Sequence, residues 1–179
     1  PAFFGNGYET IRGLLNPDAY AGKIESGPQT VFWILALLVV LKAVGTSFSL
    51  GSGGSGGVFA PSLFLGAVAG AAFGVALDGL GLLPDDASPA SYALVGMAAV
   101  VAGSTHAPLT AILILFELTR DVYVLLPIML AAVIATVVSQ LLQRDSIYSF
   151  KLRRQGVLVG AARDLTILRR LRVTDVIPE

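Results

Sequence analysis

The amino-acid sequence predicts an all-α membrane protein, and three observations carry this prediction. Of the 179 residues, 55% are hydrophobic and 13% are charged, which is about half the charged share of a soluble domain. Three long stretches, 43–77, 87–116 and 122–143, contain no acidic or basic side chain. Glycine- or proline-containing segments interrupt two of these stretches, which predicts broken and tilted helices rather than plain membrane spans.

The composition also excludes several other classes of protein. The chain has no cysteine, which excludes a disulfide scaffold, a thiolate nucleophile and a cysteine metal site. Twelve basic residues balance twelve acidic ones, so the charge gives no indication of nucleic-acid binding. Disorder requires the opposite composition, with low hydrophobicity and high net charge. We expect a protein of the lipid bilayer with no metal, no cofactor and no enzymatic activity.

The zero net charge hides an asymmetry along the chain. Residues 1–143 carry four basic and eight acidic side chains, whereas residues 144–179 carry eight basic and four acidic ones. Basic residues close to the ends of membrane spans favour the cytoplasmic side. The asymmetry therefore predicts a cytoplasmic C-terminus.

The individual helices follow from the points at which the apolar stretches are interrupted. A spanning helix needs about 20 apolar residues, and 122–143 fits one span. The glycine- and serine-rich segment 51–57 cannot continue a helix, and the segment 103–108 ends in a proline, which favours a helix start. We therefore expect helices over 29–49, 58–77, 91–102, 108–118 and 122–143.

Helix breaks at membrane depth are costly because the freed backbone N–H and C=O groups find no water there. They persist only where they are buried in protein or line a polar cavity, so two breaks in one short chain indicate a transport pathway. The helix over 58–77 also carries Gly66, Gly70 and Gly74 at a spacing of four residues. We expect this small-residue face to serve close helix packing.

The segment 51–61 is the most informative part of the sequence. Its glycines let a ligand approach the backbone, and Pro61 fits the first turn of the helix that follows. The amides of Gly57, Val58 and Phe59 lack acceptors within that helix, whose N-terminus carries about half a positive charge. A dehydrated anion accepts such donors. The alternative is a plain Gly/Ser linker, but the segment lies inside a charge-free membrane stretch.

The free energy of moving an ion out of water favours a weak anion site built from partial charges. Moving a small ion into a low-dielectric interior costs on the order of tens of kcal/mol unless the charge is compensated. A full basic side chain would offset this cost but would also trap the ion, whereas conduction requires exit as well as entry. No basic residue lies between Lys42 and Arg120, so the helix end itself forms the predicted site.

These residues resemble those of a known family. The run GSGGSGGVFAP at 51–61 is similar to the GSGxxGGxFxP motif of the CLC chloride channels and chloride–proton antiporters. Further similar motifs follow in order: GMAA at 96–99, APLT at 107–110, FELT at 116–119 and SIY at 146–148. The run GNGY at 5–8 is similar to a short helix start earlier in the same half of those proteins. The resemblance covers about residues 5–155.

The resemblance implies a fold of two inverted helical repeats, of which this chain is the C-terminal one over residues 1–155. Such folds place the ion site near the bilayer midplane, between broken helices. The chloride ligands implied by the resemblance are the backbone N–H groups of Val58 and Phe59 and the hydroxyl of Tyr148. Phe59 also flanks the pathway, and the supporting loop consists of Gly56, Gly57 and Pro61.

The resemblance also implies partners for the chain. CLC proteins pair two subunits, each with its own pore, and the segments 107–118 and 122–142 would supply part of that contact. The second chloride-binding loop and the gating-glutamate loop of the family lie in an N-terminal half that this sequence lacks. We therefore expect a fragment, in which the choice between channel and antiporter is open. Residues 156–179 read as a cytoplasmic linker that leads towards a CBS domain.

Two other functions stay open at this stage. Ser55 lies in a GxSG pattern and His106 follows in a later membrane segment, the combination that an intramembrane serine protease uses as nucleophile and base. The other alternative is a different secondary transporter with broken helices. The protease reading leaves the continuation of the loop into Val-Phe-Ala-Pro unexplained.

Four further side chains have structural interpretations. The position of Tyr148 in the sequence is typical of an aromatic residue at the membrane interface. Only the CLC resemblance favours the other role for Tyr148, that of an anion ligand. We expect His106 to cap or pack at its helix break rather than relay protons. Glu117 is expected to be structural, accepting backbone N–H bonds. Lys42 stands alone in an apolar helix, where it either snorkels or pairs.

Overall fold

The computed structural model describes residues 7–16, 20, 27–54, 56–84, 87–120 and 122–154. Within these ranges the chain forms seven helices and no strand, which confirms the all-α prediction. The helices are α1 (Tyr8–Leu15), α2 (Pro28–Gly51), α3 (Phe59–Gly79), α4 (Pro89–Thr105), α5 (Pro108–Thr119), α6 (Leu125–Leu142) and α7 (Ile147–Arg154).

Among the described residues, three apolar helical stretches are long enough to cross a membrane. Two of them are α2 and α3, and the third begins with α6 at Leu125. Helices α4 and α5 are apolar but shorter, with 17 and 12 residues. The structure therefore confirms the prediction of long helices combined with short ones that meet at a break.

The break between α4 and α5 contains fewer residues than the sequence indicates. Residues 103–105 were expected in the break, but α4 continues through them. The Ser104 and Thr105 hydroxyls both donate to the Val101 carbonyl, at 3.2 and 2.8 Å, so their polar groups are satisfied inside the helix. The chain reverses only at His106, whose φ of 58° is left-handed.

The described residues fall into two compact units, divided between Arg144 and Asp145. The first unit contains α1 to α6, and the second contains α7. In the first unit α3 packs most extensively against α4, while α2 covers α3 and α6 covers α4. The short helix α5 contacts both α4 and α6, and α1 contacts α3 and α4.

The glycines of α3 allow its close approach to α4. A Cβ atom at Gly66 would lie 2.6 Å from the Met97 Cα, and one at Gly74 would lie 2.8 Å from the Pro89 Cα. Gly96 on α4 faces α3 in the same way, because its Cβ would lie 2.8 Å from the Gly70 Cα. The predicted small-residue packing face is therefore confirmed.

Lys42 is turned into the protein. Its residue is only 7% exposed, and its Nζ lies 5.1 Å from the centroid of the Phe64 ring, a distance suited to a cation–π interaction. Phe64 is fully buried in the core between α2 and α3. Of the two interpretations of Lys42, snorkelling to the membrane surface is therefore wrong.

Candidate anion-binding site

The loop between α2 and α3 begins with a compact helix end. The Ser52 amide donates to the Phe48 carbonyl at 2.9 Å, and the Gly54 amide donates to the Ser49 carbonyl at 3.1 Å. Between them Gly53 has a φ of +80°, a conformation that glycine adopts without steric cost. The chain thus leaves α2 abruptly, and the described loop residues 56 and 57 are exposed to solvent.

Helix α3 begins with amides that have no partner among the described residues. Val58 is the N-cap residue, and it provides no side-chain cap. Neither the Val58 nor the Phe59 amide donates a backbone hydrogen bond to a described residue. The first turn of α3 contains no acidic side chain, so no carboxylate of that turn neutralises the partial positive charge at this helix end.

The residues around these amides leave room on the loop side. A Cβ atom at Gly57 would meet no other atom within 4 Å. Pro61 lies in the first turn of α3, as predicted, where its lack of an N–H leaves no donor unsatisfied. Phe59 is half-buried and packs against the hydrophobic core, which fixes the start of the helix.

A side chain that the sequence analysis missed anchors the same helix start. The Ser62 hydroxyl donates to the Val58 carbonyl at 2.7 Å, and the Ser62 amide donates to the same oxygen at 3.0 Å. The signal in the sequence is the spacing of four residues between Ser62 and the N-cap position, which suits a serine back-bond.

Tyr148 belongs to the second unit and is described by itself. It lies in the first turn of α7 and is 52% exposed. The hydroxyl of Ser146 accepts a hydrogen bond from the Ser149 amide at 3.3 Å, which caps the helix start. The Arg153 guanidinium also donates to both Asp145 carboxylate oxygens at 2.9 Å. The exposed ring of Tyr148 thus lies on a short helix that is capped by Ser146 at its start and linked to Asp145 through Arg153 near its end.

His106 has a packing role, as predicted. Its Nε2 lies 3.2 Å from the Ser139 Oγ, and the Ser139 hydroxyl donates to the Gly103 carbonyl at 2.6 Å. Because the hydroxyl proton is directed to Gly103, His106 donates through Nε2–H. This chain of hydrogen bonds ties the α4–α5 break to α6, and sequence reasoning did not find the contribution of Ser139.

The remaining candidates contribute little to a site. Ser55 lies outside the described residues, and the partner of His106 is Ser139, so the structure gives no support to a protease dyad. Glu117 is exposed, with its carboxylate 3.7 Å from the Arg120 guanidinium. Arg120 is the partner of Glu117 among the described residues, and the expected backbone N–H donors to its carboxylate are not found there.

The described part of the chain combines apolar helices of spanning length with shorter ones that meet at a break, which is the architecture of an integral membrane protein. The profile of the family described as voltage gated chloride channel matches residues 1–140 of the chain. The chain therefore belongs to this family, and it is an integral membrane protein with part of a CLC-type fold.

Individual relatives agree with this assignment. The chain is 39% identical over 155 residues to a putative ClcB-like chloride channel protein of Ralstonia nicotianae, covering 86% of this chain and 33% of the relative. It is 43% identical over 122 residues to the H(+)/Cl(-) exchange transporter ClcA of Vibrio parahaemolyticus, covering 68% of this chain and 26% of that protein.

A solved structure has a similar fold. The structure of a slow cyanobacterial Cl-/H+ antiporter superposes with a TM-score of 0.62 at 35% identity, covering 69% of this chain and 29% of that one. The chain spans a third or less of the length of each of these proteins.

Proposed function

We propose that this chain takes part in the transmembrane transport of chloride and similar anions. The observation that carries the proposal is the start of α3, where the Val58 and Phe59 amides have no described acceptor and the first turn holds no acidic group. A desolvated anion at this point would accept both donors and would meet the positive end of the helix dipole. Relatives that are chloride channels and chloride–proton exchangers support the choice of anion.

The proposed ligands are the backbone N–H groups of Val58 and Phe59 together with the hydroxyl of Tyr148. The exposure of the Tyr148 ring is compatible with a ligand role. Gly56 and Gly57 keep the approach to the amides free of side chains, as the open space around Gly57 supports. Since the relatives include both channels and exchangers, the proposal covers passive and proton-coupled transport.

The proposed assembly is a homodimer in which this chain supplies the C-terminal repeat of each subunit, over residues 1–155. Helices α5 and α6 support a contact between subunits because their outer faces are apolar and exposed. The large exposed side chains there include Leu109, Leu113, Leu126, Leu130, Ile134 and Leu141. Residues 156–179 form a linker on the cytoplasmic side in this proposal, supported by the excess of basic over acidic side chains in residues 144–179.

The proposal can be tested by deleting one amide proton. Replacing Phe59 with its α-hydroxy acid analogue converts the N–H to an ester oxygen and keeps the side chain. In the full-length protein that contains this chain, we expect chloride binding, measured by calorimetry, to weaken by about tenfold or more, because a hydrogen bond to a charged group is lost. Chloride efflux from liposomes should change in parallel.

The matched control is the same replacement at Ala90, which lies in the first turn of α4. It removes another amide near a helix start, away from the proposed site. Tyr148→Phe should also weaken chloride binding, since it removes only the hydroxyl. Unchanged chloride affinity in the Phe59 ester, or an equal loss in the Ala90 ester, would contradict the proposed site.

A further inference from the structure

The carbonyl of Val58 receives two hydrogen bonds from a single residue. The Ser62 amide is 3.0 Å from this oxygen and the Ser62 hydroxyl is 2.7 Å from it. Ser62 is only 7% exposed, so water does not compete effectively for either bond. The Val58 oxygen is therefore held more firmly than a helix carbonyl with one donor.

This carbonyl and the Phe59 amide belong to the same peptide unit. Because the peptide bond is planar and trans, the C=O and N–H vectors point in opposite directions. Fixing the Val58 oxygen towards the helix body therefore directs the Phe59 N–H away from the helix and into the space before its first turn. Hydrogen bonds to the carbonyl also polarise the unit, which makes its N–H a stronger donor.

Similar hydroxyl bonds occur elsewhere in the chain without this consequence. The Thr136 hydroxyl donates to the Ala132 carbonyl at 2.8 Å in the middle of α6. The amide of the same peptide unit, that of Val133, lies in the helix interior, where it is used by the helix itself. At Val58 the equivalent amide is the first of α3 and has no described acceptor.

The geometry points to Ser62 as a positioning residue for the anion site. Its hydroxyl orients the Val58–Phe59 peptide so that the Phe59 amide faces the anion, and it does not touch the ion. The inference rests on the proposed function, because it concerns the same amide. It adds a side chain that governs how strongly this site holds its anion.

The test compares variants of the full-length protein that contains this chain. Ser62→Ala removes the hydroxyl and keeps the helix amide, and we expect chloride binding to weaken by about three- to tenfold, the equivalent of one ordinary hydrogen bond. The midpoint of thermal unfolding without chloride should stay unchanged, since alanine is the better helix former. Ser62→Thr retains a hydroxyl and should restore the chloride affinity to within about twofold of the wild type.

The matched control is Thr136→Val, which deletes a buried hydroxyl of the same kind in α6 and should leave chloride affinity unchanged. Wild-type affinity in Ser62→Ala, or equal losses in Ser62→Ala and Thr136→Val, would overturn the role of Ser62 and leave the proposed site standing. Absence of chloride binding in the wild-type protein would overturn both proposals. An affinity loss in Ser62→Ala that appears again in Ser62→Thr would assign the effect to packing and would overturn the positioning role.

Discussion

Gly70→Ala tests whether the stability of the protein depends on the close backbone approach of α3 to α4. The added Cβ would meet the backbone of α4, at 2.9 Å from the Tyr92 carbonyl carbon and 3.0 Å from the Ala93 Cα. Real Cβ contacts are about 3.5–4.0 Å at their optimum, and the Tyr92 carbonyl oxygen lies closer still to the added Cβ, so the two helices must separate by at least roughly 0.5–1 Å. Backbone atoms cannot move aside as a flexible side chain does.

The cost of this separation follows from the packing that it loosens. A gap of about 0.5–1 Å forfeits a quarter to a half of each dispersion contact across the interface, and overpacking typically costs about 1–3 kcal/mol. Both helices carry fully buried side chains, including Ala67 and Ala71 on α3 and Met97 on α4. We therefore expect a loss of about 3 kcal/mol in the free energy of unfolding.

The assay is thermal unfolding in detergent, followed by circular dichroism. A change of 1 kcal/mol shifts the midpoint by about 2–4 °C for a protein of this size, so Gly70→Ala should lower it by roughly 6–12 °C. The control is Gly13→Ala on α1, where the new Cβ meets nothing within 4 Å and helix propensity favours alanine by up to about 1 kcal/mol. An unchanged midpoint for Gly70→Ala would refute the reasoning that backbone contact limits this interface.

Two further predictions concern hydrogen bonds outside the proposed anion site. Ser139→Ala should destabilise the protein by about 1–3 kcal/mol, because it leaves the Gly103 carbonyl and the His106 ring without their shared partner; a thermal midpoint equal to that of the wild type would count against this. Burial raises the pKa of Tyr20 above its usual value of 10.0, and its hydroxyl donates to the Leu14 carbonyl at 2.7 Å. The folded state therefore retains this proton longer than the unfolded state, so the Tyr20 contribution is complete below about pH 10 and is lost as the pH rises above that value. Denaturant titrations from pH 8 to about pH 11 should show a smaller alkaline loss of stability in Tyr20→Phe, and an identical loss would exclude Tyr20 as its source.

The sequence predicted the helices because their signals are local. Long apolar runs define α2, α3 and α6, with Lys42 as the one charged residue inside α2, and Pro108 marks the start of α5. The spacing of Gly66, Gly70 and Gly74 predicted a packing face because that period matches one side of a helix. The end of α4 was misplaced because Ser104 and Thr105 are polar but satisfy themselves inside the helix.

The tertiary contacts could not be predicted from one sequence. His106 and Ser139 lie 33 residues apart and meet only because α4 and α6 pack together. The inward direction of Lys42 depends on the position of the Phe64 ring, which no local pattern encodes. Amides at 58 and 59 without an acceptor among the described residues were predictable from the glycine loop, whereas the anchoring of their peptide by Ser62 required coordinates.

The position of Lys42 refines the expectation that helix partial charges act alone at the site. Phe64, over which the lysine lies, is five residues into α3 from Phe59, about 7.5 Å along the axis. At roughly 10 Å and an effective dielectric constant of about 20, a full charge would attract a bound anion by no more than about 2 kcal/mol. Such an attraction adds to the helix dipole without holding the anion as a direct ion pair would, so a weak site remains consistent with a basic residue buried nearby.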